Sequence, residues 1–383
     1  MRQTLLVVVV VGLVCTAGCV DIVDDTDGIE ADDGTGGDDE ADDGTGGDDE
    51  ADDGTGGDDE ADDGTGGDDE ADDGTDSDRD TDVDGELQIH HIDVGQADAT
   101  LVVTPTGETM LIDTGDWRQD GTGVIAYLEA HDIDRIDHLV ATHGHADHIG
   151  GHAAVIEHYE TELDGIGAAY DSGVAHSSQT YDNYLDAIEE HGVELLLIEA
   201  GDELPLADAA VAATAHNPPT GDSGSDLHEN SVALTLTVGD VTYLTTGDAE
   251  RAAEERMVEE RGDELDADVY QAGHHGSSTS STPGFMEVVD PGIAVISSGL
   301  ESQYGHPHDE VLEQFADRGI ETYWTGVHGD VVVTTDGESI DVTTGEEETT
   351  DPAALLELKP QDDDGASSIA AGSLPPRHAE AIA

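Results

Sequence analysis

Residues 142–151 read Thr-His-Gly-His-Ala-Asp-His-Ile-Gly-Gly and directly follow the apolar run IDHLVA. Three imidazoles and one carboxylate therefore lie within six positions at the predicted end of a strand. Neutral imidazole and carboxylate are common ligands of zinc and similar ions. On a tight loop, His143 and His145 project alike and can bind one ion, whereas Asp147 and His148 can bind a second ion about 3.5–4 Å away. A chance group of surface histidines is the alternative.

The chain carries 93 acidic residues and only 10 basic ones, which gives a formal net charge of −83 at pH 7. Four copies of ADDGTGGDDE, each with five acids, fill residues 31–70, so most of the acidic residues lie elsewhere. A folded domain this acidic repels itself in dilute buffer, whereas molar salt shortens the Debye length to about 3 Å and screens the repulsion. The composition therefore predicts a halophilic protein, and a merely acidic mesophilic protein is the alternative.

Residues 1–19 predict a lipoprotein-type signal peptide. The apolar run from Leu5 to Val14 is shorter than the roughly 20 residues of a membrane-spanning helix. The ending Thr-Ala-Gly-Cys resembles the lipobox of secreted lipoproteins, which predicts lipidation of Cys19 and a secreted protein anchored to the outer face of the cell membrane. An ordinary cleaved signal is the alternative. Cys15 and Cys19 are the only cysteines, so a site in the mature chain must use histidine and carboxylate ligands.

Residues 20–84 consist mainly of Asp, Gly and Thr and contain almost no apolar side chains. Such a segment cannot bury enough surface to offset the entropy of ordering, and its like charges extend it. We predict a disordered acidic tether. A calcium-binding repeat is the alternative, although the repeats lack the glutamate spacing of an EF-hand loop. Residues 346–383 are again acidic and Ala-rich, and we predict a disordered tail there.

Residues 85–345 have the pattern of one α/β domain. LQIHHIDV, ATLVVTP, TMLIDTG and IDHLVATH predict strands, and GVIAYLEAHDI has helical spacing. SVALTLTV and VTYLTT predict a hairpin around Gly239 and Asp240. AERAAEERMVEERG and HDEVLEQFADRG predict helices, and ADVYQAG and PGIAVISSG predict strands. Strands that alternate with helices in this way favour a layered arrangement around one core.

The motif HxHxDH at residues 143–148 resembles the defining motif of the metallo-β-lactamase superfamily. Across residues 87–335 the finer pattern is similar to the hydrolase domain of ComEC-type competence proteins. The matching stretches are HIDVGQ (91–96), LIDTG (111–115), TGD (246–248), GHHGS (273–277) and YGHP (304–307). One departure is Ala97, where that family usually has Gly. The resemblance implies a four-layer αββα metallo-β-lactamase sandwich with two metal ions at one edge.

The same resemblance implies the remaining metal ligands. Asp248 would bridge the two ions, because the two oxygens of a carboxylate can serve two ions at once; a helix-capping Asp is the alternative. His274 would complete the second ion. His275 is the less favoured candidate for the same place, and contact with the substrate or with a ligand is its other role. For the third ligand of the first ion, His216 and His228 are the candidates. ComEC-type domains often lack this histidine, which would leave the position open.

Further residues are predicted around the ligands. His306, in a Gly-His-Pro turn, is predicted with Asp147 as a catalytic residue and would donate a hydrogen bond to the substrate oxyanion. A structural turn histidine is the alternative. Asp93, Asp98 and Asp113 follow early strands and are predicted to orient metal-bound imidazoles, with turn capping as the alternative.

Two divalent ions, zinc or manganese, with a metal-activated hydroxide as nucleophile could hydrolyse phosphodiesters, lactones, thioesters or β-lactams. The ComEC-like motifs favour a phosphodiesterase or nuclease, with a small phosphodiester or nucleic acid as substrate. The scarcity of basic residues argues against long nucleic acids and leaves phosphate recognition to the ions and to polar groups such as Ser277, Ser278 and His306. A lactone or other ester hydrolase and a non-catalytic surface-anchored binding module are the alternatives. No protein partner is predicted.

Overall fold

The structure, a computed structural model, describes residues 85–221 and 223–360. The predicted signal peptide with Cys19, the predicted acidic tether and the last part of the predicted tail lie outside these residues. Within the described ranges, no helix is both long and apolar enough to span a bilayer.

Fourteen strands in the described part of the chain form two sheets. The first six belong to the first sheet: β1 (Leu87–His91), β2 (Thr100–Val103), β3 (Thr109–Ile112), β4 (Ile136–Val140), β5 (Ile166–Asp171) and β6 (Leu195–Leu197). The next six form the second sheet: β7 (Val211–Asn217), β8 (Ala233–Val238), β9 (Val241–Thr245), β10 (Val269–Gln271), β11 (Ile293–Ile296) and β12 (Glu321–Trp324). The chain then returns to the first sheet with β13 (Val331–Thr335) and β14 (Ile340–Thr344).

Each sheet is antiparallel at one side and parallel at the other. The first sheet has the order β14-β13-β1-β2-β3-β4-β5-β6, and its pairs from β3 to β6 are parallel. The second sheet has the order β12-β11-β10-β9-β8-β7, and its pairs from β9 to β12 are parallel. The carboxyl ends of parallel neighbours lie at the same edge of a sheet. Loops that follow β3 and β4, or β9 and β10, are therefore brought close together.

Helices cover the outer faces of both sheets. They are α1 (Thr122–Ala130), α2 (His152–Glu162), α3 (Gln179–His191), α4 (Arg251–Arg261), α5 (Pro283–Val289), α6 (Asp309–Arg318), α7 (Thr325–His328) and α8 (Pro352–Leu358). Side chains of α1, α2 and α3 pack with the first sheet around Leu111 and Leu139. Side chains of α4, α5, α6 and α8 pack with the second sheet around Leu244 and Tyr270.

A third apolar cluster fills the space between the two sheets. Because successive strand residues point to opposite faces, Met110 joins this central cluster while its neighbour Leu111 packs under the helices. In the second sheet, Tyr243 points to the centre and Leu244 outward. Three cores between four layers make the αββα sandwich predicted above. The predicted strands, helices and hairpin within residues 85–345 are confirmed, each within a few residues.

The predicted disordered tail is wrong for its first part, because residues 346–360 are ordered. The Asp351 carboxylate accepts a hydrogen bond from the amide of Ala353 and caps α8, which has Pro352 in its first turn. Leu355 is fully buried in the outer core of the second sheet. Lys359, the only lysine of the chain, ends the helix in an ion pair with Asp309. The acidic composition of this segment predicted disorder and gave no indication of a capped helix with a buried leucine.

Candidate metal centre

The predicted site residues meet where strands of both sheets end. Asp113 follows β3, and the histidine loop of residues 143–148 follows the neighbouring parallel strand β4. Asp248 follows β9, and the turn Gly273–Gly276 follows its parallel neighbour β10. The packing of one sheet on the other brings these four strand ends to a common edge, where imidazole and carboxylate groups face one another.

Two glycines allow the loops to pack this closely. A Cβ atom on Gly150 would lie 2.1 Å from the backbone nitrogen of Trp117, a distance that no side chain could accept. On Gly247, which precedes Asp248, a Cβ would lie 2.4 Å from the hydroxyl oxygen of Ser231. The glycines in HIGG and TGD are therefore needed to place the loops that carry the candidate ligands.

Three residues of the site have left-handed backbone conformations. Asp113, His274 and His275 have φ angles of 59°, 51° and 56°. Such a conformation costs a non-glycine residue on the order of 1–3 kcal/mol and persists only where the surrounding structure imposes it. The two consecutive histidines therefore point in different directions, with ring centroids 6.1 Å apart.

We call the first group of side chains the outer cluster. It consists of His143, His145, His228 and Asp248, whose ligand atoms all lie within 4.8 Å of one another. His143 Nε2 is 2.9 Å from His145 Nδ1 and 3.6 Å from Asp248 Oδ2. These separations suit an ion bound at the usual 2.0–2.2 Å from each donor.

Of the two candidates for the third histidine of this cluster, the structure brings only His228 to the site. His216 lies on β7, where its Nε2 is 2.8 Å from the Thr235 hydroxyl oxygen. It belongs to none of the groups of potential metal ligands among the described residues. Its role is therefore a contact between neighbouring strands.

The second group, the inner cluster, consists of Asp98, His148, Asp248 and His275, and all four are buried. Asp248 Oδ1 is 3.1 Å from His148 Nε2 and 3.8 Å from His275 Nε2. Asp147 joins this side, because its Oδ2 is 3.3 Å from His275 Nε2. Asp248 therefore turns one oxygen to each cluster, which is the geometry a bridging carboxylate requires.

The histidines of the inner cluster are oriented by buried acceptors. The Asp113 carboxylate is 2.7 Å from His148 Nδ1 and also accepts hydrogen bonds from the amide and hydroxyl of Thr142. His275 Nδ1 donates to the carbonyl oxygen of Ser297 at 3.1 Å. Because a carbonyl only accepts, Nδ1 of His275 carries a proton, and its Nε2 faces the cluster.

Asp98 and Asp93 are the other two carboxylates that were predicted to orient metal-bound imidazoles, and only one of them lies at the centre. The Asp98 carboxylate lies 3.7 Å from His275 Nδ1 and accepts a hydrogen bond from the Gln271 amide at 2.9 Å. Asp93 is exposed and accepts a hydrogen bond from the amide of Gly95, so it has the turn-capping role given above as the alternative. Asp98 therefore belongs to the centre and Asp93 does not reach it.

Of the two adjacent histidines, the structure places the one that the sequence prediction favoured less in the inner cluster. His275 is buried in the inner cluster, where the prediction had placed His274. His274 is partly exposed and forms a third group with His228 and Glu250. Its Nε2 still lies 3.6 Å from Asp248 Oδ2, so it borders the outer cluster. Two adjacent histidines give no indication in the sequence of which one turns inward.

The two clusters differ in charge. Burial, together with the neighbouring imidazoles, lowers the pKa of His143 well below its usual value and that of His145 to about 4. Both rings are therefore neutral, and each has one unprotonated nitrogen. For His148, burial alone would lower the pKa, but the carboxylates of Asp248 and Asp113 outweigh it and raise the pKa well above its usual value.

Buried atoms without partners test whether the centre fits metal ions. His148 Nε2, His275 Nε2 and Asp248 Oδ1 are buried and make no hydrogen bond of good geometry in the described part of the chain, although they face one another and Asp147 at ion-pair distances of 3.1–3.8 Å. Leaving such an atom unsatisfied costs about 1–3 kcal/mol, so native structures rarely tolerate several together. Two nitrogens and one oxygen that converge in this way are a donor set for a divalent ion. The residues therefore fit a pair of ions, and the donors suit zinc and manganese alike.

His306 lies beside the centre, with its ring centroid 5.8 Å from that of His274 and 6.3 Å from that of His275. Its Nδ1 is 3.3 Å from Nε2 of Gln96, a residue that the sequence did not single out. An amide nitrogen only donates, so the neutral ring carries its proton on Nε2. Burial and the charge of His275 lower the pKa of His306 to about 3, which keeps the ring neutral.

The two predicted serines lie close by, in the loop after the double histidine. Ser277 is buried, and its hydroxyl is 3.0 Å from that of Thr279. Ser278 is exposed, and its amide donates to His308 Nδ1 at 2.8 Å. Ser278 is the one of the two that a bound substrate could contact directly.

The profile of the metallo-beta-lactamase superfamily matches residues 92–299. The chain is 28% identical over 262 residues to ComE operon protein 3 of Bacillus subtilis (strain 168), which covers 64% of this chain and 33% of that protein. It is 29% identical over 242 residues to competence protein ComA of Neisseria gonorrhoeae, which covers 62% of this chain and 30% of that protein. The chain thus spans about a third of the length of these curated relatives.

Among solved structures, the metallo-beta-lactamase fold protein YhfI from Bacillus subtilis aligns with a TM-score of 0.44 and 12% identity, over 66% of this chain and 100% of that one. The resemblance to ComEC-type competence proteins predicted from the motifs is confirmed by the relatives.

Proposed function

Because the chain belongs to the metallo-β-lactamase superfamily, we propose that this metallo-β-lactamase-fold hydrolase cleaves phosphodiester bonds. The observation that carries the proposal is the position of Asp248 between two clusters of donors, with one carboxylate oxygen turned to each. A paired-ion centre suits attack on a phosphoryl group. The similarity to competence proteins favours phosphodiesters over other esters.

Two divalent ions held by these clusters would lower the pKa of a water molecule and balance the charge that develops on the phosphoryl oxygens. The residues of the chain provide the orientation. Asp113 and the Ser297 carbonyl fix the ring nitrogens that face the ions. His306, whose Nδ1 is engaged by Gln96, directs an N–H group outward and would donate it to a substrate oxygen.

Two exposed aromatic residues at the rim of the centre favour a substrate that contains nucleobases. Trp117 is 52% exposed, and its backbone amide donates to the Ala146 carbonyl in the histidine loop. Tyr304 is 57% exposed, and its ring centroid lies 5.7 Å from that of His306. Stacking on such rings is worth about 1–3 kcal/mol per base and does not require basic residues. We therefore infer that single-stranded nucleic acid or a short oligonucleotide is the preferred substrate.

Hydrolysis by the full chain in molar KCl tests the proposal. Bis-p-nitrophenyl phosphate, single-stranded DNA and a lactone are offered with zinc or manganese. Asp248→Ala is the inactive reference, and Asp240→Ala, at an exposed hairpin turn, is the matched control. We expect metal-dependent phosphodiester cleavage that is lost in Asp248→Ala and kept in Asp240→Ala. Turnover of the lactone alone would make the protein a different ester hydrolase. No turnover by folded, metal-loaded protein would leave a binding module.

The nucleobase part of the proposal has a separate test. Replacing Trp117 or Tyr304 with alanine should raise the KM for single-stranded DNA by about fivefold or more, with little effect on kcat, because each loses about 1 kcal/mol or more of stacking. An abasic oligonucleotide is the control substrate and should show no change. Leu197→Ala, at a side chain that is also 52% exposed, is the control variant. Equal effects on both substrates would contradict stacking.

We also propose that the chain acts outside the cell, held to the outer face of the membrane through a lipid on Cys19. The support is the lipobox-like ending of the predicted signal peptide. Cys19→Ser should move the protein from the membrane fraction to the medium, as followed by fractionation and by incorporation of a labelled lipid. Unchanged membrane association of that variant would contradict the anchor.

A further inference from the structure

Glu250 belongs to neither the inner nor the outer cluster, yet its carboxylate contacts two histidines at their border. Its Oε1 lies 3.2 Å from Nδ1 of His274 and 3.4 Å from Nδ1 of His228. The two rings are neighbours, with centroids 4.7 Å apart. His228 comes from the loop before β8 and His274 from the turn after β10, so one oxygen connects two separate segments of the chain.

The position of Glu250 at the start of a helix leaves its side chain free to contact these rings. Glu250 is the N-cap residue of α4, and its side chain makes no capping hydrogen bond. Side chains that cap a helix are usually those of Ser, Thr, Asp or Asn, and the longer glutamate is not one of them. The carboxylate of Glu250 is therefore free to contact the imidazoles, while the helix start fixes its backbone.

The contact favours one tautomer of each ring. Nδ1 of both rings lies within ion-pair distance of the carboxylate, which only accepts, so a proton on Nδ1 is favoured there; the Thr279 hydroxyl, 3.2 Å from Nδ1 of His274, can accept the same proton. In a neutral imidazole the other nitrogen, Nε2, then has the free lone pair. Nε2 of His274 lies 3.6 Å from Asp248 Oδ2, the oxygen that faces the outer cluster. Glu250 thus favours a free Nε2 on His274 beside the outer cluster.

We propose that Glu250 is a positioning residue for the outer ion: it holds His228 and His274 in the tautomer whose Nε2 is free to bind. The inference rests on the metal centre and not on the identity of the substrate. Without His228 and His274, the outer cluster has three protein ligands, His143, His145 and Asp248, whereas zinc usually takes four. Glu250 does for the outer side what Asp113 does for His148 on the inner side.

The same three side chains, His228, Glu250 and His274, could instead hold a third ion, since their ligand atoms also lie within 4.8 Å of one another. The two arrangements exclude each other. An ion on Nδ1 would need the lone pair that the proton occupies, and Nε2 could then bind the outer ion only if the ring lost its second proton. The number of ions bound therefore distinguishes them.

Metal affinity of the full chain tests the proposal without reference to catalysis. Zinc content and chelator competition would be measured for the wild type, Glu250→Ala and Glu255→Ala, the last being a matched exposed glutamate on the same helix. We expect two ions in the wild type and a loss of about 10- to 100-fold in affinity for one of them in Glu250→Ala, with the other unchanged. Glu255→Ala should behave as the wild type.

The tautomer itself provides a second readout. In the metal-free wild type, the ring nitrogens of His228 and His274 observed by NMR should show protonated Nδ1, and in Glu250→Ala this preference should be lost. Equal weakening of both ions, or unchanged affinity for both, would overturn the proposal. Three bound ions in the wild type and two in the variant would also overturn it and establish a third site. Because these measurements need no substrate, their failure is separate from a failure to cleave phosphodiesters.

Discussion

The inner and outer clusters share Asp248 but differ in how they are enclosed. Every side chain of the inner cluster is buried, and its histidines are fixed by Asp113 and by a backbone carbonyl. On the outer side, the side chains of His228 and Glu250 are 27% and 31% exposed. The two candidate ion sites therefore differ: buried contacts hold the inner one, and the outer one borders the solvent.

This difference predicts that changes in the two clusters have different effects on the stability of the fold and on metal binding. A change in the inner cluster removes a buried partner and should weaken both the fold and the ion site. A change on the outer side removes a partly solvated group, and its effect should be confined to the ion and the substrate. The predictions below test this division, beginning with the residue that both clusters share.

Asp248→Asn should have the largest effect, because it removes the charge that serves both clusters. We expect loss of both ions and a fall in phosphodiester hydrolysis of at least about a thousandfold. Metal analysis of the purified variant, together with its rate, measures this. Retention of one tightly bound ion would contradict the shared role of Asp248, since the residue would then belong to one cluster only.

Asp113→Ala should weaken one ion by about 10- to 100-fold and also destabilise the metal-free fold by about 3 kcal/mol. The stability cost arises because the amide and hydroxyl of Thr142 and the ring of His148 lose a buried acceptor. Chemical denaturation with chelator present gives the stability of the metal-free protein. A variant that loses the ion but keeps its full stability would contradict the inference that changes on the inner side weaken the fold as well as the ion site.

His228→Ala should weaken one ion by up to about a hundredfold and change the stability of the metal-free protein by less than about 0.5 kcal/mol. The matched variant is His216→Ala, which removes a buried ring that contacts Thr235. It should destabilise the fold and leave both ions in place. If the two variants exchanged these phenotypes, the third ligand of the outer cluster would be His216.

Glu254 supplies a reference outside both clusters and the smallest expected effect. This buried carboxylate accepts hydrogen bonds from the amides of Ser281 and Thr282, and burial raises its pKa from 4.5 to about 7. The folded chain therefore keeps a proton that the unfolded chain releases above pH 4.5. Its contribution to stability is fully present below pH 4.5 and is lost as the pH rises through 7.

As the pH rises from 5 to 7, the free energy of unfolding of the metal-free wild type should fall by about 2 kcal/mol more than that of Glu254→Gln, whose side chain does not titrate. Denaturation of both proteins at several pH values and constant molar salt measures the difference. Ion affinities of the two proteins should agree at pH 5. A parallel pH dependence of the two stabilities would contradict the assignment.

Local patterns were enough to predict the scaffold. The motifs HxHxDH and TGD each predict metal ligands from a few consecutive residues. The alternation of β-rich and helical runs predicted the αββα layers. What the sequence could not supply was contact through space. Glu250 has no distinguishing neighbour in the chain, and its role arises only because two distant loops meet at its carboxylate. Asp93 and Asp113 both follow early strands, but only Asp113 lies where a histidine packs against it.

Lys359 gives the chain a property of practical use. Because it is the only lysine, an amine-reactive probe has one side chain to attack, at the end of α8 beside Asp309. The same lysine and His306 line a common cavity of about 580 Å³. A fluorophore attached there would lie beside the candidate metal centre without any engineered cysteine.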